Sequence, residues 1–118
     1  IKAVDIAPLE LPIPKDNRLK KIYQHLAGRP EDNRTLAEWG EKVGATSRTL
    51  ARCFRVETGM TFGQWRQQVR ILEALKRLTI NESVTTVAID LGYESPSAFI
   101  SMFRKALGKT PGQYFSGN

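Results

Sequence analysis

The chain contains an internal repeat, because two of its stretches match when they are laid over one another. The segment "TFGQW" at 61–65 corresponds to "TPGQY" at 110–114, which is an offset of 49 residues. Upstream of a short turn the offset becomes 48, so that "GAT" in the first copy corresponds to "GYES" in the second. Such self-similarity indicates one supersecondary unit used twice, with a second turn that is one residue longer.

Each copy has the pattern of a helix, a turn that starts with glycine, and a second helix. In the first copy, Gly44 ends a helix predicted over about 36–43, and Thr46 caps the next helix. Apolar residues at helical spacing are predicted to point inward: Leu36, Trp39, Val43, Leu50, Cys53 and Phe54, with Val56 as a further candidate.

The second copy repeats this pattern with a stronger start signal for its second helix. The first helix is predicted from about Val84 to Leu91, Ser95 occupies the N-cap position, and Pro96 follows at the first helical position. The inward stripe of the second helix is Phe99, Met102, Phe103 and Ala106.

A small residue lies midway along the first helix of each copy, Gly40 in one and Ala88 in the other. We expect a close helix crossing there, since such a crossing leaves no room for a bulky side chain. The whole pattern is typical of a helix-turn-helix, in which the first helix supports the second for entry into a major groove. A plain αα-hairpin bundle is the alternative.

The remaining segments complete an all-α fold, since no alternating strand pattern of useful length occurs. Residues 1–15 carry three prolines and are predicted to form an extended linker or arm. Asp16 caps a predicted helix over Asn17 to Ala27. A long helix over 62–78 is apolar on more than one side, so we expect it to pack against more than one neighbour and to join the two copies.

Composition limits the classes of partner. Eighteen Lys and Arg residues against twelve Asp and Glu residues give a formal net charge of +6, which favours a polyanion. The single cysteine excludes an internal disulfide and suits a reducing compartment. We find no apolar run of about 18 residues and no signal-peptide pattern, and we predict a cytoplasmic, nucleoid-associated protein with no membrane partner. Because the first residue is Ile1, we expect that something is missing upstream.

The second helix of the first copy has a basic face opposite its apolar stripe, formed by Arg48, Ala51, Arg52 and Arg55. Arg48 and Arg52 are four residues apart and therefore lie on one face. An arginine fork matches the O6 and N7 acceptors of guanine, whereas a solvated face or simple phosphate contact is the alternative. Arg55 is predicted as a phosphate anchor, and Ser47 and Thr49 as contacts to a phosphate or a base edge.

The corresponding face of the second copy is less basic. Ser97 and Ser101 replace Arg48 and Arg52, and a serine hydroxyl discriminates bases poorly because it can donate or accept. The start of this helix suits a phosphate. Pro96 is either a contact to a thymine methyl or a plain helix starter. The basic residues of this face are Arg104 and Lys105, which we predict as phosphate contacts.

With these features in view, the chain resembles the DNA-binding domain of the AraC/XylS family of bacterial transcription regulators. The resemblance covers about 17–115 and is clearest in "VAIDLGYESPSAFISMFRKALGKTPGQY". It implies seven helices, two helix-turn-helix units, promoter binding that usually activates transcription, and a separate upstream domain. It also implies base contacts from Arg48, Ala51 and Arg52 in the first unit, and from Pro96, Ser97, Ala98 and Ser101 in the second. Phe115 departs from the family, which often has arginine there.

The predicted organisation is therefore a DNA-binding domain over 16–115 and a tail over 116–118. Within the domain, the two helix-turn-helix units span about 36–57 and 84–106. We predict that the two recognition helices enter successive major-groove segments, about 34 Å apart, of one asymmetric promoter site. Besides double-stranded promoter DNA, RNA polymerase is an expected partner. The fragment is expected to be monomeric, and the full-length protein dimeric through the upstream domain.

Two other functions compete with DNA binding. An enzyme is disfavoured because Cys53 lies on an apolar stripe and His25, the only histidine, is predicted to be a surface residue. One cysteine and one histidine without paired spacing also give no zinc site, and no cofactor is predicted. A protein-interaction module whose basic faces contact RNA polymerase is the second rival, and it can coexist with DNA binding.

Overall fold

The structure, a computed structural model, describes residues 11–116, in which seven α-helices occur and no residue lies in a strand. Their bounds are α1 Asn17–Gly28, α2 Leu36–Val43, α3 Ser47–Thr58, α4 Phe62–Thr79, α5 Val84–Asp90, α6 Pro96–Leu107 and α7 Pro111–Ser116. The all-α prediction is confirmed. The greater part of the predicted arm, residues 1–10, and the end of the tail, residues 117–118, lie outside the described residues. The division into arm, domain and tail stays a prediction.

The described residues form two compact units. The first unit comprises those up to Arg70, and the second comprises those from Ile71 onward. The boundary falls within α4, so this helix contributes side chains to two separate cores. Trp65 and Val69 belong to the first core, whereas Ile71 and Ala74 belong to the second. The prediction that this helix packs on more than one side is confirmed.

The core of the first unit is built around Phe54, whose ring centroid lies 5.3 Å from those of Phe62 and Trp65. Burial of side chains of this size stabilises a fold by about 1.5–3 kcal/mol each. The full set of buried apolar residues is Leu19, Ile22, Leu26, Trp39, Leu50, Phe54, Phe62, Trp65 and Val69. Each of the four helices in this unit therefore contributes to one core.

Residues 11–15 are not helical, and they pack against the first unit. Pro14 is fully buried, and the indole Nε1 of Trp65 donates to the Pro12 carbonyl at 3.2 Å. The backbone N–H of Lys15 donates to Glu57 Oε1 at 2.6 Å. This segment therefore lies against α3 and α4 just before α1 begins at its Asp16 cap.

The loop between α1 and α2 is held by polar contacts that the sequence patterns did not indicate. His25 is half-buried, and its Nε2 lies 2.9 Å from Asp32 Oδ2. Its ring packs edge-to-face against Trp39. The predicted surface histidine is thus exposed for one third of its side chain, 33%, because the loop folds back over α1 and covers the rest. Burial favours the neutral form of Asp32, but the Arg34 backbone N–H and the side chains of His25 and Arg34 keep the pKa of Asp32 below its ordinary value.

Two arginines of α4 bind the backbone of the same loop. Arg66 donates to the Arg34 carbonyl at 2.7 Å. Arg70, which is 8% exposed, donates from Nε to the Pro30 carbonyl at 2.6 Å and from Nη2 to the Asp32 carbonyl at 2.9 Å. A buried guanidinium needs such acceptors, and the loop carbonyls equally need donors. These arginines therefore serve the fold.

The second unit has its own aromatic core. The Phe99 and Phe103 rings are 5.8 Å apart, and Tyr114 of α7 meets Phe103 edge-on at 5.7 Å. The buried set is Ile71, Ala74, Val87, Ala88, Leu91, Phe99, Phe103 and Leu107. Arg77 of α4 also donates to Glu82 Oε1 at 2.7 Å, in the turn before α5, and to Asp90 Oδ2 at 2.6 Å, at the end of α5.

Candidate nucleic-acid interface

The turn between α2 and α3 is built on Gly40 and Gly44. The backbone N–H groups of Gly44 and Ala45 both donate to the Gly40 carbonyl, at 2.8 and 3.0 Å. Gly44 has a φ of 77°, in the left-handed region that glycine adopts without strain. A Cβ on Gly40 would lie 2.2 Å from the Ala45 carbonyl oxygen. The expected close approach is present, but the backbone of the turn makes it, and not a crossing helix.

The turn between α5 and α6 has a related but longer path. Gly92 has a φ of 89°, and its N–H donates to the Ile89 carbonyl at 3.1 Å. The N–H of Tyr93 donates to the Ala88 carbonyl at 3.1 Å, which matches the bond from Ala45 to Gly40. The residue that follows, Glu94, has no counterpart in the first turn, where Ala45 is followed directly by the N-cap Thr46.

Equivalent hydroxyls cap the two candidate recognition helices. Thr46 Oγ1 accepts from the Thr49 N–H at 3.1 Å at the start of α3. Ser95 Oγ accepts from the Ala98 N–H at 3.1 Å at the start of α6, where Pro96 occupies the first turn. The two caps are 49 residues apart, as are the two bonded amides. Both helices therefore begin at the residues that the capping pattern predicted.

The α3 helix buries Leu50 and Phe54 and leaves its opposite face open. Four predicted DNA contacts on that face are exposed: Arg48, Ala51, Arg52 and Arg55. Among residues 11–116, none of the three arginine side chains has a hydrogen-bond or ion-pair partner. Their guanidinium donors are therefore available to an external acceptor.

The other side chains of α3 agree with the sequence-based assignment in part. Val56, a candidate for the inward stripe, is 78% exposed, because the helix has already turned this position away from the core. Cys53 is half-buried against the core, and Arg18 Nη2 lies 3.8 Å from its Sγ. Ser47 is exposed, whereas Thr49 is half-buried and its Oγ1 accepts from Thr46 Oγ1 at 3.0 Å.

The α6 helix buries Phe99, Phe103 and Leu107. Its exposed face contains the predicted contacts Ser97, Ala98, Ser101, Arg104 and Lys105, and Pro96 is half-buried. Within the described part of the chain, Arg104 and Lys105 have no ion-pair partner. Ile100 is half-buried against the second core, although its counterpart in α3, Ala51, is exposed.

The structure thus brings the predicted contacts together as two sets, one on α3 in the first unit and one on α6 in the second. Glu94, which the sequence patterns did not single out, is exposed in the turn before α6, and the longer turn was the available signal for it. Over residues 11–116 there is no group of three or more His, Cys, Asp or Glu residues that could hold a metal ion. In the same residues, no helix is long and apolar enough to cross a membrane.

Comparison with known sequences agrees with this arrangement. A family described as a helix-turn-helix domain matches residues 39–117. The transcriptional regulator NimR of Escherichia coli K12 is 39% identical over 108 residues, which are 92% of this chain and 40% of NimR. The regulator RipA of Corynebacterium glutamicum is 32% identical over 90% of this chain and 32% of its own length. The transcriptional activator RhaR of Enterobacter sp. strain 638 is 33% identical over 81% of this chain and 34% of its own length. The chain therefore spans 32–40% of the length of these relatives.

Solved structures have the same fold. The DNA-binding domain of the global transcriptional factor AdpA, solved in complex with a target DNA, superposes with a TM-score of 0.77 at 28% identity. The match covers 86% of this chain and 93% of that domain. The C-terminal domain of AraT, a response regulator from Geobacillus stearothermophilus, gives a TM-score of 0.78 at 22% identity and covers 87% of both chains.

Proposed function

The chain belongs to the AraC/XylS family of transcription regulators, and from this premise we propose that it binds double-stranded promoter DNA in a sequence-specific manner. It is not an enzyme, since its relatives and its fold are those of transcription regulators. In the proposed complex, α3 and α6 enter successive major-groove segments of one site. The solved AdpA complex with a target DNA supports DNA as the partner.

The observation that carries this proposal is the exposed, unpartnered arginine face of α3. Arg48 and Arg52 are four residues apart on this face, and their forks match guanine O6 and N7. We assign base contacts to these two arginines and to Ala51, whose short side chain suits a thymine methyl. Arg55, Ser47 and Thr49 are assigned to phosphates, which fix the register of the helix on the duplex.

The α6 helix carries a different set of groups. Base contacts are proposed for Pro96, Ser97, Ala98 and Ser101, and phosphate contacts for Arg104 and Lys105. Because the two helices present different side chains, the preferred site is proposed to be asymmetric. Each half of the site is then read by one unit of the same chain.

The remaining parts of the proposal concern the whole regulator. We propose that it acts in the bacterial cytoplasm, at the nucleoid, and that it contacts RNA polymerase as an activator. RhaR, one of the relatives, is named an activator. By itself this chain is proposed to be a monomer, and dimerisation of a regulator as long as its relatives to require an upstream domain.

Selection of random duplexes on this chain tests the proposal. We expect a selected site that is asymmetric and extends over two major-groove segments. We also expect its affinity to fall steeply with salt, with a slope of about −0.9 in log K against log salt for each phosphate contacted. A chain that enriches no sequence, or whose duplex binding does not depend on salt, would contradict sequence-specific DNA binding. A palindromic selected site would contradict only the proposal that α3 and α6 read different halves of the site, and not DNA binding itself.

A further inference from the structure

The turn of the second helix-turn-helix unit contains one additional residue, which is acidic. Matching hydrogen bonds before and after it identify which residue is the additional one. Upstream, the bond from the Tyr93 N–H to the Ala88 carbonyl matches the bond from the Ala45 N–H to the Gly40 carbonyl. Downstream, the Ser95 cap matches the Thr46 cap. The residue inserted between these two reference points is therefore Glu94. It immediately precedes the N-cap of α6.

The Glu94 carboxylate is not engaged by any side chain or backbone group among the described residues. Its side chain is exposed, and it makes no hydrogen bond or ion pair with any residue in 11–116. Glu94 is also the only acidic residue in either turn or in the first two helical turns of α3 and α6, which cover 44–54 and 92–103. A negative charge thus lies at the start of a helix whose exposed face is otherwise neutral or basic.

The charge has opposite consequences for the two kinds of DNA group that a recognition helix meets. A carboxylate beside a phosphate is repelled, and it opposes the attraction that the helix N-terminus would otherwise exert on a phosphate. In the major groove, however, the exocyclic amino group of cytosine is a donor that a glutamate can accept. The start of α6 therefore disfavours a phosphate and suits a base edge with an amino group.

We propose that Glu94 is a specificity-determining residue of the second helix-turn-helix unit, which selects on one strand a base whose edge presents an amino donor, cytosine above all, because adenine also presents the N7 acceptor. This inference rests on the proposed entry of α6 into the major groove. Glu94 acts largely by rejection, because opposite a base edge without a donor its carboxylate loses water and gains no partner. It revises the sequence-based expectation that the start of α6 suits a phosphate.

Two variants test the assignment against the duplex selected by the unmodified chain. We expect E94A to reduce discrimination at one base pair by about 5- to 150-fold, the range of a good base contact. We expect the same variant to bind random duplexes about 2- to 5-fold more tightly, because an exposed like charge has been removed. E94Q should shift the preference at that base pair from cytosine towards adenine, whose N6 and N7 match an amide.

The matched control is E31A, which removes an exposed carboxylate outside both turns and both recognition helices. If E94A and E31A change affinity for all duplexes by the same factor, Glu94 acts only through net charge and the inference is wrong. Unchanged base preference in both E94A and E94Q would also overturn it. If the unmodified chain selects no sequence, it is the proposed DNA-binding function that fails, so the two failures are distinguishable.

Discussion

A Cβ atom on Gly40 would lie 2.2 Å from the carbonyl oxygen of Ala45, closer than side chains approach a backbone oxygen in real structures. The turn can fold back over α2 at this point only because Gly40 has no side chain. Ala45 is followed at once by Thr46, the N-cap of α3. The direction in which the first candidate recognition helix leaves the turn therefore depends on the close approach of the main-chain atoms of Gly40 and Ala45.

Replacing Gly40 with alanine is expected to destabilise the first unit by about 1–3 kcal/mol, because the backbone of the turn must shift to admit the methyl group. Gly28→Ala is the matched control, since no heavy atom lies within 4 Å of a Cβ at that position. Both tryptophans, Trp39 and Trp65, lie in the core of the first unit, so urea unfolding followed by tryptophan fluorescence reports on it. Equal midpoints for the two variants would refute the main-chain contact as the cause.

Arg70→Met is expected to destabilise the first unit by at least about 1.5–3 kcal/mol. Methionine keeps apolar volume but removes the donors to the carbonyls of Pro30 and Asp32 and to Asn33 Oδ1. Arg104→Met, at an exposed site with no partner among the described residues, should change stability by about 0.5 kcal/mol or less. Amide hydrogen exchange should also accelerate in the loop 29–35 of the Arg70 variant only. Unaltered exchange there would contradict the proposed anchoring.

Arg48→Ala and Arg52→Ala are each expected to weaken binding to the selected duplex by about 1–3 kcal/mol and to relax base preference at one position. The reason is the loss of a two-pronged hydrogen bond to a base edge. Arg29→Ala removes an exposed arginine outside the recognition helices and serves as the control for charge. Fluorescence anisotropy on selected and random duplexes gives both affinities. Equal losses on the two duplexes would reduce these arginines to phosphate contacts.

Ser101→Ala is expected to cost less affinity and less specificity than either arginine change. A hydroxyl makes one short hydrogen bond and can donate or accept, so it separates base pairs poorly. The measurement is the same anisotropy titration, with each base pair of the selected site replaced in turn. A greater loss of discrimination for this variant than for Arg52→Ala would reverse the ranking of α3 and α6 as readers.

Stability should decline in acid partly through Asp16, the N-cap of α1. The Arg18 side chain, together with the backbone N–H groups of Arg18 and Leu19, lowers the pKa of Asp16 from 3.8 to about 2. A lowered pKa means that the charged form favours the folded state, so this contribution is present above about pH 4 and is lost as the pH falls towards 2. Asp16→Asn keeps a capping acceptor but cannot titrate.

Thermal melts between pH 5 and pH 2 test this dependence. The melting temperature of the Asp16→Asn variant should fall less over this interval than that of the unmodified chain. Some decline should remain, because the pKa of Asp32 is also below its ordinary value. Glu31→Gln, at an exposed carboxylate without a partner in the described residues, should follow the unmodified chain. Parallel curves for all three proteins would show that Asp16 does not contribute.

Much of the fold was predictable because its signals are local. Thr46 and Ser95 cap their helices as the pattern indicated, and Gly44 ends α2 with a positive φ. The stripe residues Phe54 and Phe103 are buried, since helical spacing alone places them on one face. The equivalence of the two units also followed from the repeat, down to the additional residue in the second turn.

Other features could not be predicted because they depend on residues far apart in the chain. Arg70 contacts Pro30 across 40 positions, and His25 meets a loop that folds back over its helix. Periodicity also gave Val56 as a candidate core residue, although nothing in sequence shows where the core ends along α3. For Gly40, the sequence indicated the need for a small residue but not the group that it approaches.

The sequence by itself determined the helices, their caps, the buried stripes and the unequal turns, because these follow from spacing and from side chains within a few residues of one another. The tertiary structure decided which charged side chains are used within the fold and which remain available to an external partner. Arg66, Arg70 and Arg77 are used to hold loops and turns, whereas Arg48, Arg52 and Arg55 keep their donors exposed. Glu94 is likewise left without a partner among the described residues. The reason is that a guanidinium or carboxylate is neutralised by whichever groups packing brings to it, and those groups are often remote in sequence.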